Sequence, residues 1–206
     1  MFSRVMLVLV LLGLVASGIY PADSFTWLLE VVPVLIAIPL LVALRNRFPL
    51  SRLATLLIAV HAGILMVGGH WTYAQVPFGF WLKELMHLSR NPYDRIGHFA
   101  QGFIPAIVVR EVLIRQSPLR GHRRWIFALT TAVCLAISAA YELFEWSVAE
   151  ATGTASDAFL GTQGDPWDTQ WDMFTCLCGA LVAQLSLSRL HDLELEEVLA
   201  AEKPSA

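Results

Sequence analysis

Charge is what this sequence has least of. Only 15% of its 206 residues are Asp, Glu, Lys or Arg, and 56% are apolar, against about a quarter charged and about half apolar in a soluble domain. With a mean hydropathy of +0.60, this composition excludes a soluble globular domain and indicates a polytopic membrane protein. Cysteine is also scarce: Cys134, Cys176 and Cys178 are the three present, and all lie in apolar runs. An odd number of membrane-buried thiols argues against a disulfide framework, and a Cys-Leu-Cys spacing matches no common zinc knuckle, so they read as packing residues. A Walker loop, a Rossmann glycine pattern, an ordered Ser-His-Asp set and a basic patch are all missing, which leaves no sign of a nucleic-acid partner. The formal net charge of −3 says little about partners, because the charges are segregated along the chain.

What the chain has in quantity is long apolar runs. Six read as transmembrane helices: 5–20, 25–44, 53–73, 93–113, 125–148 and 165–187. The first lies behind Arg4 and ends near Ala16-Ser17-Gly18, which also resembles a signal-peptidase site. The spans that follow at regular spacing favour the helix reading. Lys and Arg set the orientation. With the N-terminus inside, one set of loops holds Arg4, Arg45, Arg47, Arg52, Arg115, Arg120, Arg123, Arg124 and Arg189, and the other holds only Lys83, Arg90 and Arg95. The expectation is an all-α protein of six membrane spans with both termini cytoplasmic and the 150–164 loop outside. Gly79 to Ser89 reads as a short amphipathic helix in the outer interface, anchored by Trp81. Residues 190–206 read as an acidic cytoplasmic tail that frays, with no function attached. Trp71, Tyr73, Trp81, Trp146, Trp167 and Trp171 read as an outer aromatic belt.

Against this background a few ionisable residues stand out, and a charge inside the membrane is by default a hypothesis of function. The segment Asn91 to Phe103 opens the fourth span with Asp94, Arg95, His98 and Gln101 in its first turns. In this topology Asp94 lies at the outer mouth and His98 one turn, about 6 Å, deeper. Glu145 and Glu142 lie near the outer end of the fifth span, and Asp168 and Asp172 in the first turns of the sixth. The pairs Asp94/His98, Asp168/Asp172 and Glu142/Glu145 are spaced i,i+4 or i,i+3, so each occupies one helix face, and all share one depth. Three helices can therefore build a single site.

Each part has a bland reading as well. Asn91-Pro92-Tyr93-Asp94 and Asp165-Pro166-Trp167-Asp168 share a helix-start pattern of cap residue, Pro, aromatic and acid, which accounts for Asp94, Asp165 and Asp168 alone. It does not account for His98 or Asp172, one turn inside, nor for Glu142 and Glu145, which the dipole disfavours near a helix C-terminus. Those four need partners. Three solutions remain open: a hydrogen-bonded structural plug with Arg95, a divalent metal ion, or a proton or ion relay. His70 and His87 lie at a level to join the cluster as weaker candidates. Glu30 could face the bundle, and His61 reads as an interhelical hydrogen-bonding residue.

With these residues in place, the chain resembles the YjdF-type family of uncharacterised bacterial inner-membrane proteins over nearly its whole length, and more distantly VanZ-like membrane proteins. The VanZ-like pattern has an acid, a basic residue and a histidine spaced as Asp94, Arg95 and His98 are, and an Asp followed by Asn and Gly where this chain has Asp172, Cys176 and Gly179. Its middle motif has Glu, then Gln three residues on, where this chain has Glu142 and Glu145. Cys176 and Glu145 are departures, the second making this site more acidic. The resemblance implies a polytopic cell-envelope protein and supplies no reaction.

The leading expectation is a multi-pass inner-membrane protein with an outward-facing acidic/His site built from Asp94, His98, Glu142, Glu145, Asp168 and Asp172. It would bind a divalent metal or act on an amphiphilic or lipid-linked ligand among the membrane lipids. As an enzyme it would use His98, Glu142, Glu145 and Asp172, with a glutamate as base and a metal polarising a phosphoryl or acyl oxygen or activating water. The alternatives are a proton- or ion-coupled transporter and a structural or assembly factor. Below Glu142 the fifth and sixth spans offer only Ser138, Thr130, Thr131, Gln184 and cysteines, which disfavours a polar path across the membrane.

Overall fold

The computed structural model describes residues 2–153 and 157–202, and among these it holds helices, turns and loops but no strand. The helices are α1 (Phe2–Ser17), α2 (Ser24–Leu44), α3 (Arg52–Trp71), α4 (Pro77–Leu85), α5 (Tyr93–Gln116), α6 (Arg123–Thr152), α7 (Asp157–Leu160) and α8 (Asp168–Glu202), with a 3-10 turn at Tyr73–Gln75. α2, α3, α5, α6 and α8 are long and apolar enough to cross a membrane. α1 is a shorter apolar helix of 16 residues, or about 24 Å at 1.5 Å per residue, against a hydrocarbon core of about 30 Å. Large apolar side chains point outward along these helices, among them Leu12, Leu143 and Leu185, as lipid-facing surfaces do.

α5 is the central helix and packs against α3, α6 and α8. Its contact with α8 is set by two glycines. A Cβ on Gly102 would collide with the Cys176 carbonyl of α8, and one on Gly179 would collide with the Phe99 carbonyl of α5. Small residues let membrane helices approach backbone to backbone, where dispersion replaces the hydrophobic effect as the attraction. Ala106, Cys134, Ala180 and Ala183, all fully buried, continue this close packing. Cys134 and Cys176 are free thiols inside it, as their apolar settings indicate.

Three expectations need correction. The chain from 190 onward is not a separate fraying tail, because α8 runs unbroken to Glu202 and its last turns pack back on the bundle (residues 203–206 lie outside those described). His191 is fully buried, accepts a hydrogen bond from Arg110 Nη1 at Nδ1 (2.9 Å), and donates from Nε2 to Glu111 (3.1 Å). Glu111 also accepts from the Ser51 N–H (3.0 Å), the Ser51 hydroxyl (2.7 Å) and Arg115 (2.6 Å). Asp192 accepts from Arg110 at 2.5 Å, and Glu194 accepts the Leu53 N–H at 2.8 Å. The network ties the start of α3, the end of α5 and the α8 extension together. Second, the amphipathic helix is α4, running from Pro77 to Leu85 rather than from Gly79 to Ser89, with Pro at its first turn. Third, Tyr73 is not part of an aromatic belt. It is buried, and a Cβ on either Gly68 or Gly97 would strike its ring, which packs edge-on against Tyr93. Trp71, Trp81, Trp146, Trp167 and Trp171 are exposed at the same end of the bundle, as a belt requires.

Candidate functional site

Two matching helix starts hold the site. At α5, Asn91 Oδ1 accepts the Tyr93 N–H at 3.0 Å while its amide donates to the Val76 carbonyl at 3.0 Å. Before α8, Asp165 Oδ1 accepts the Trp167 N–H at 2.9 Å. In each case an Asx side chain closes a turn at the entry to the helix by accepting the N–H two residues on. Gln163 donates to the Asn91 carbonyl and accepts its N–H, both at 3.0 Å, which fixes the 161–165 loop against the start of α5.

The first turns then meet through charge. Arg90 donates to Asp168 Oδ1 at 2.5 Å, to Asp94 Oδ2 at 3.2 Å and to the Gly161 carbonyl at 3.2 Å. Arg95 binds Asp172, Asp168 Oδ1 at 2.6 Å and Asp165 Oδ2 at 3.3 Å. Two guanidiniums are thus threaded through four aspartates from α5, α8 and the segment before α8. Arg90 was absent from the sequence-derived cluster. Its only sequence signal is its place four residues before Asp94.

One turn deeper lies His98. Its Nε2 is 3.5 Å from Asp94 Oδ1 and 3.6 Å from Asp172 Oδ1. Its Nδ1 is 3.1 Å from Gln101 Oε1 and 3.8 Å from Glu142 Oε1. When Nδ1 carries the proton and donates to Gln101, Nε2 turns a lone pair toward the two aspartates; when both nitrogens are protonated, Nε2 turns an N–H toward them. Donor atoms of Asp94, His98 and Asp172 lie within 4.8 Å of one another, and all three residues are buried. Ligand atoms about 2.1 Å from a tetrahedral ion are about 3.4 Å apart, close to the spacings at Nε2. Glu142 is 7% exposed, and its Oε1 is buried with no hydrogen-bond partner.

The structure therefore brings Asp94, His98, Glu142 and Asp172 together from α5, α6 and α8. Asp168 belongs to the arginine layer above them. Glu145 does not accompany Glu142. It faces a separate cavity of about 240 Å³ among α2, α3, α5 and α6, whose wall also includes Glu30, His61, Tyr73 and Tyr141. Asp94, His98 and Gln101 form the wall this cavity shares with the cluster. Glu30 is buried and accepts the Tyr141 hydroxyl at 3.1 Å. His70 lies elsewhere, donating from Nδ1 to the Ser17 carbonyl at 2.9 Å, and His87 is exposed beyond α4. Neither joins the cluster.

Long apolar helices around a buried acid–histidine cluster at one end define a polytopic helical membrane protein with an intramembrane polar site. The chain belongs to the family described as Predicted membrane protein (DUF2238), whose profile matches residues 2–193 and so spans every site residue named above. It is similar to the Inner membrane protein YjdF of Escherichia coli (strain K12), with 54% identity over 178 residues, 86% of this chain and 85% of that protein. That similarity shows the YjdF-type resemblance and accords with an inner-membrane location. No solved structure matches.

Proposed function

We propose that this protein binds a divalent cation between Asp94, His98 and Asp172, at the outer end of the bundle, and uses it on the polar end of an amphiphilic or lipid-linked substrate. The observation that carries this reading is the placement of His98 Nε2 3.5 and 3.6 Å from carboxylate oxygens of two different helices. Charge supports it. Asp94, Glu142, Asp165, Asp168 and Asp172 face only Arg90 and Arg95 as permanent cations, and buried carboxylates without compensation are costly. A cation or added protons must supply the balance. The arginines also hold the aspartates in place, as hydrogen bonds to metal-ligating carboxylates do elsewhere. Glu142, with an unpartnered oxygen beside the cluster, is placed to act as the base. The scarcity of Lys and Arg at this end argues that it faces outward.

The test is metal analysis of protein purified without chelator, together with its melting curve. Wild type should carry close to one equivalent of a divalent metal, and chelator should lower its melting temperature. A ligand at a hundredfold excess over Kd stabilises by about 2.7 kcal/mol. His98→Ala and Asp172→Asn should lose the metal and the chelator response together. Metal-free wild type, indifferent to chelator, would reduce the cluster to an ion-paired plug.

A further inference from the structure

We propose that the cavity beside His98 is a receptor for an organic ammonium group, the positively charged end of an amphiphile's headgroup. The cavity, about 240 Å³, has three carboxylates on its wall, Glu30, Glu145 and Asp94, and no Lys or Arg. Arg90 and Arg95 pair with Asp94, at 3.2 and 3.6 Å, as well as with the aspartates toward α8, so Glu30 and Glu145 are the wall carboxyls that they leave without compensation. Glu30 is only 4% exposed, and its hydrogen-bond partner is the neutral Tyr141 hydroxyl. A carboxylate so enclosed, with a neutral donor and no counter-cation, is incompletely compensated. The rest of the wall suits an alkylated cation better than a hydrated metal ion. Tyr73 and Tyr141 bring aromatic rings, whose faces attract ammonium groups, and Leu65 and Ile137 bring apolar surface for methylene or methyl groups. A phosphate or carboxylate would find no basic side chain on this wall and would lie beside the Glu30 and Glu145 carboxyls.

This inference rests on the reading of an amphiphilic substrate for the ligand's larger body, while the choice of a cationic group rests on the cavity wall. Asp94 and His98 belong to both cavity and cluster. An ammonium seated in the cavity would therefore present its neighbouring atoms to the Asp94–His98–Asp172 group.

The test measures the melting temperature of the full chain in phosphatidylglycerol nanodiscs, with ethanolamine or with ethylene glycol, its neutral counterpart of similar size. A parallel arm replaces part of the lipid with phosphatidylethanolamine. A saturable upward shift with ethanolamine and none with ethylene glycol identifies a site open to a free amine. A shift only with phosphatidylethanolamine identifies a lipid headgroup as the source. Glu30→Gln combined with Glu145→Gln should remove either shift. Asp172→Asn, which is not on the cavity wall, should keep the shift while losing any bound metal, so failure of the metal reading and failure of this one separate cleanly. Equal responses to ethanolamine and ethylene glycol, with no effect of phosphatidylethanolamine, would overturn the proposal without recourse to any variant.

Discussion

His98 Nε2 of α5 stands 3.6 Å from Asp172 Oδ1 of α8, across a helix pair that meets backbone to backbone. The distance is maintained deeper in the bundle by backbone contact at Gly102 and Gly179. Site and packing are therefore one problem: whatever separates α5 from α8 also dismantles the cluster.

Gly102→Ala and Gly179→Ala test this coupling. Each new methyl would collide with a carbonyl of the facing helix, and overpacking costs about 1–3 kcal/mol. Both variants should melt lower and lose bound metal. Gly63→Ala in α3, where an added Cβ meets nothing within 4 Å, should melt at or above wild type, because Ala is the better helix former by about 1 kcal/mol. A Gly102→Ala protein with unchanged melting temperature would refute the close-contact account.

Arg95 carries the largest share of the charge lattice. Replacing it with Ala strands Asp172 beneath the surface and leaves Asp168 with Arg90 alone, and removing one partner of a buried pair costs about 3–5 kcal/mol. The partial exposure of the guanidinium, 18%, puts the expected loss at the low end. Arg95→Ala with Asp172→Asn should recover part of it, which a double-mutant cycle on chemical unfolding would measure. Additive losses would mean that the two side chains are not coupled.

Orientation can be read by labelling. In a background with Cys134, Cys176 and Cys178 replaced by Ala, a single Cys at Ser89 should react with an impermeant maleimide in intact cells. One at Arg120 should react only after permeabilisation. The reverse pattern would move the site to the cytoplasmic side. Both positions are exposed and described, whereas Ser156, in the loop expected outside, lies outside the described residues.

The far end of the bundle makes its own prediction. Truncation after Arg189 removes His191, Asp192 and Glu194, leaving Arg110, Glu111 and the Leu53 N–H without those partners. A lost partner for a buried polar group costs about 1–3 kcal/mol, so the truncated protein should melt clearly lower. Unchanged melting would restore the reading of this segment as a dispensable tail.

The sequence by itself determined the class, the long spans and the depth of the site. Apolar run length sets which segments can cross a bilayer, and helical rise then places Asp94, His98, Glu142 and Asp172 at one level whatever the packing. The paired starts at Asn91 and Asp165 were legible as turns, since turn chemistry is local, but each side chain sits ahead of its helix, with Pro92 at the cap of α5 and α8 beginning at Asp168. Tertiary structure decided the direction in which each side chain faces. Glu142 and Glu145, three residues apart, differ by about 60° around the helix axis. That is a single face in a sequence pattern, yet enough to send one to His98 and the other to the cavity with Glu30. Arg90 became a cluster residue only because the 161–165 loop brings Asp168 and Gly161 to it. The α8 extension held because Arg110 and Glu111, 81 and 80 residues before His191, wait beneath it. Periodicity fixes depth and face within one helix, but the angle between neighbouring helices comes from contacts such as Gly102 on Cys176, which arise only when distant segments pack.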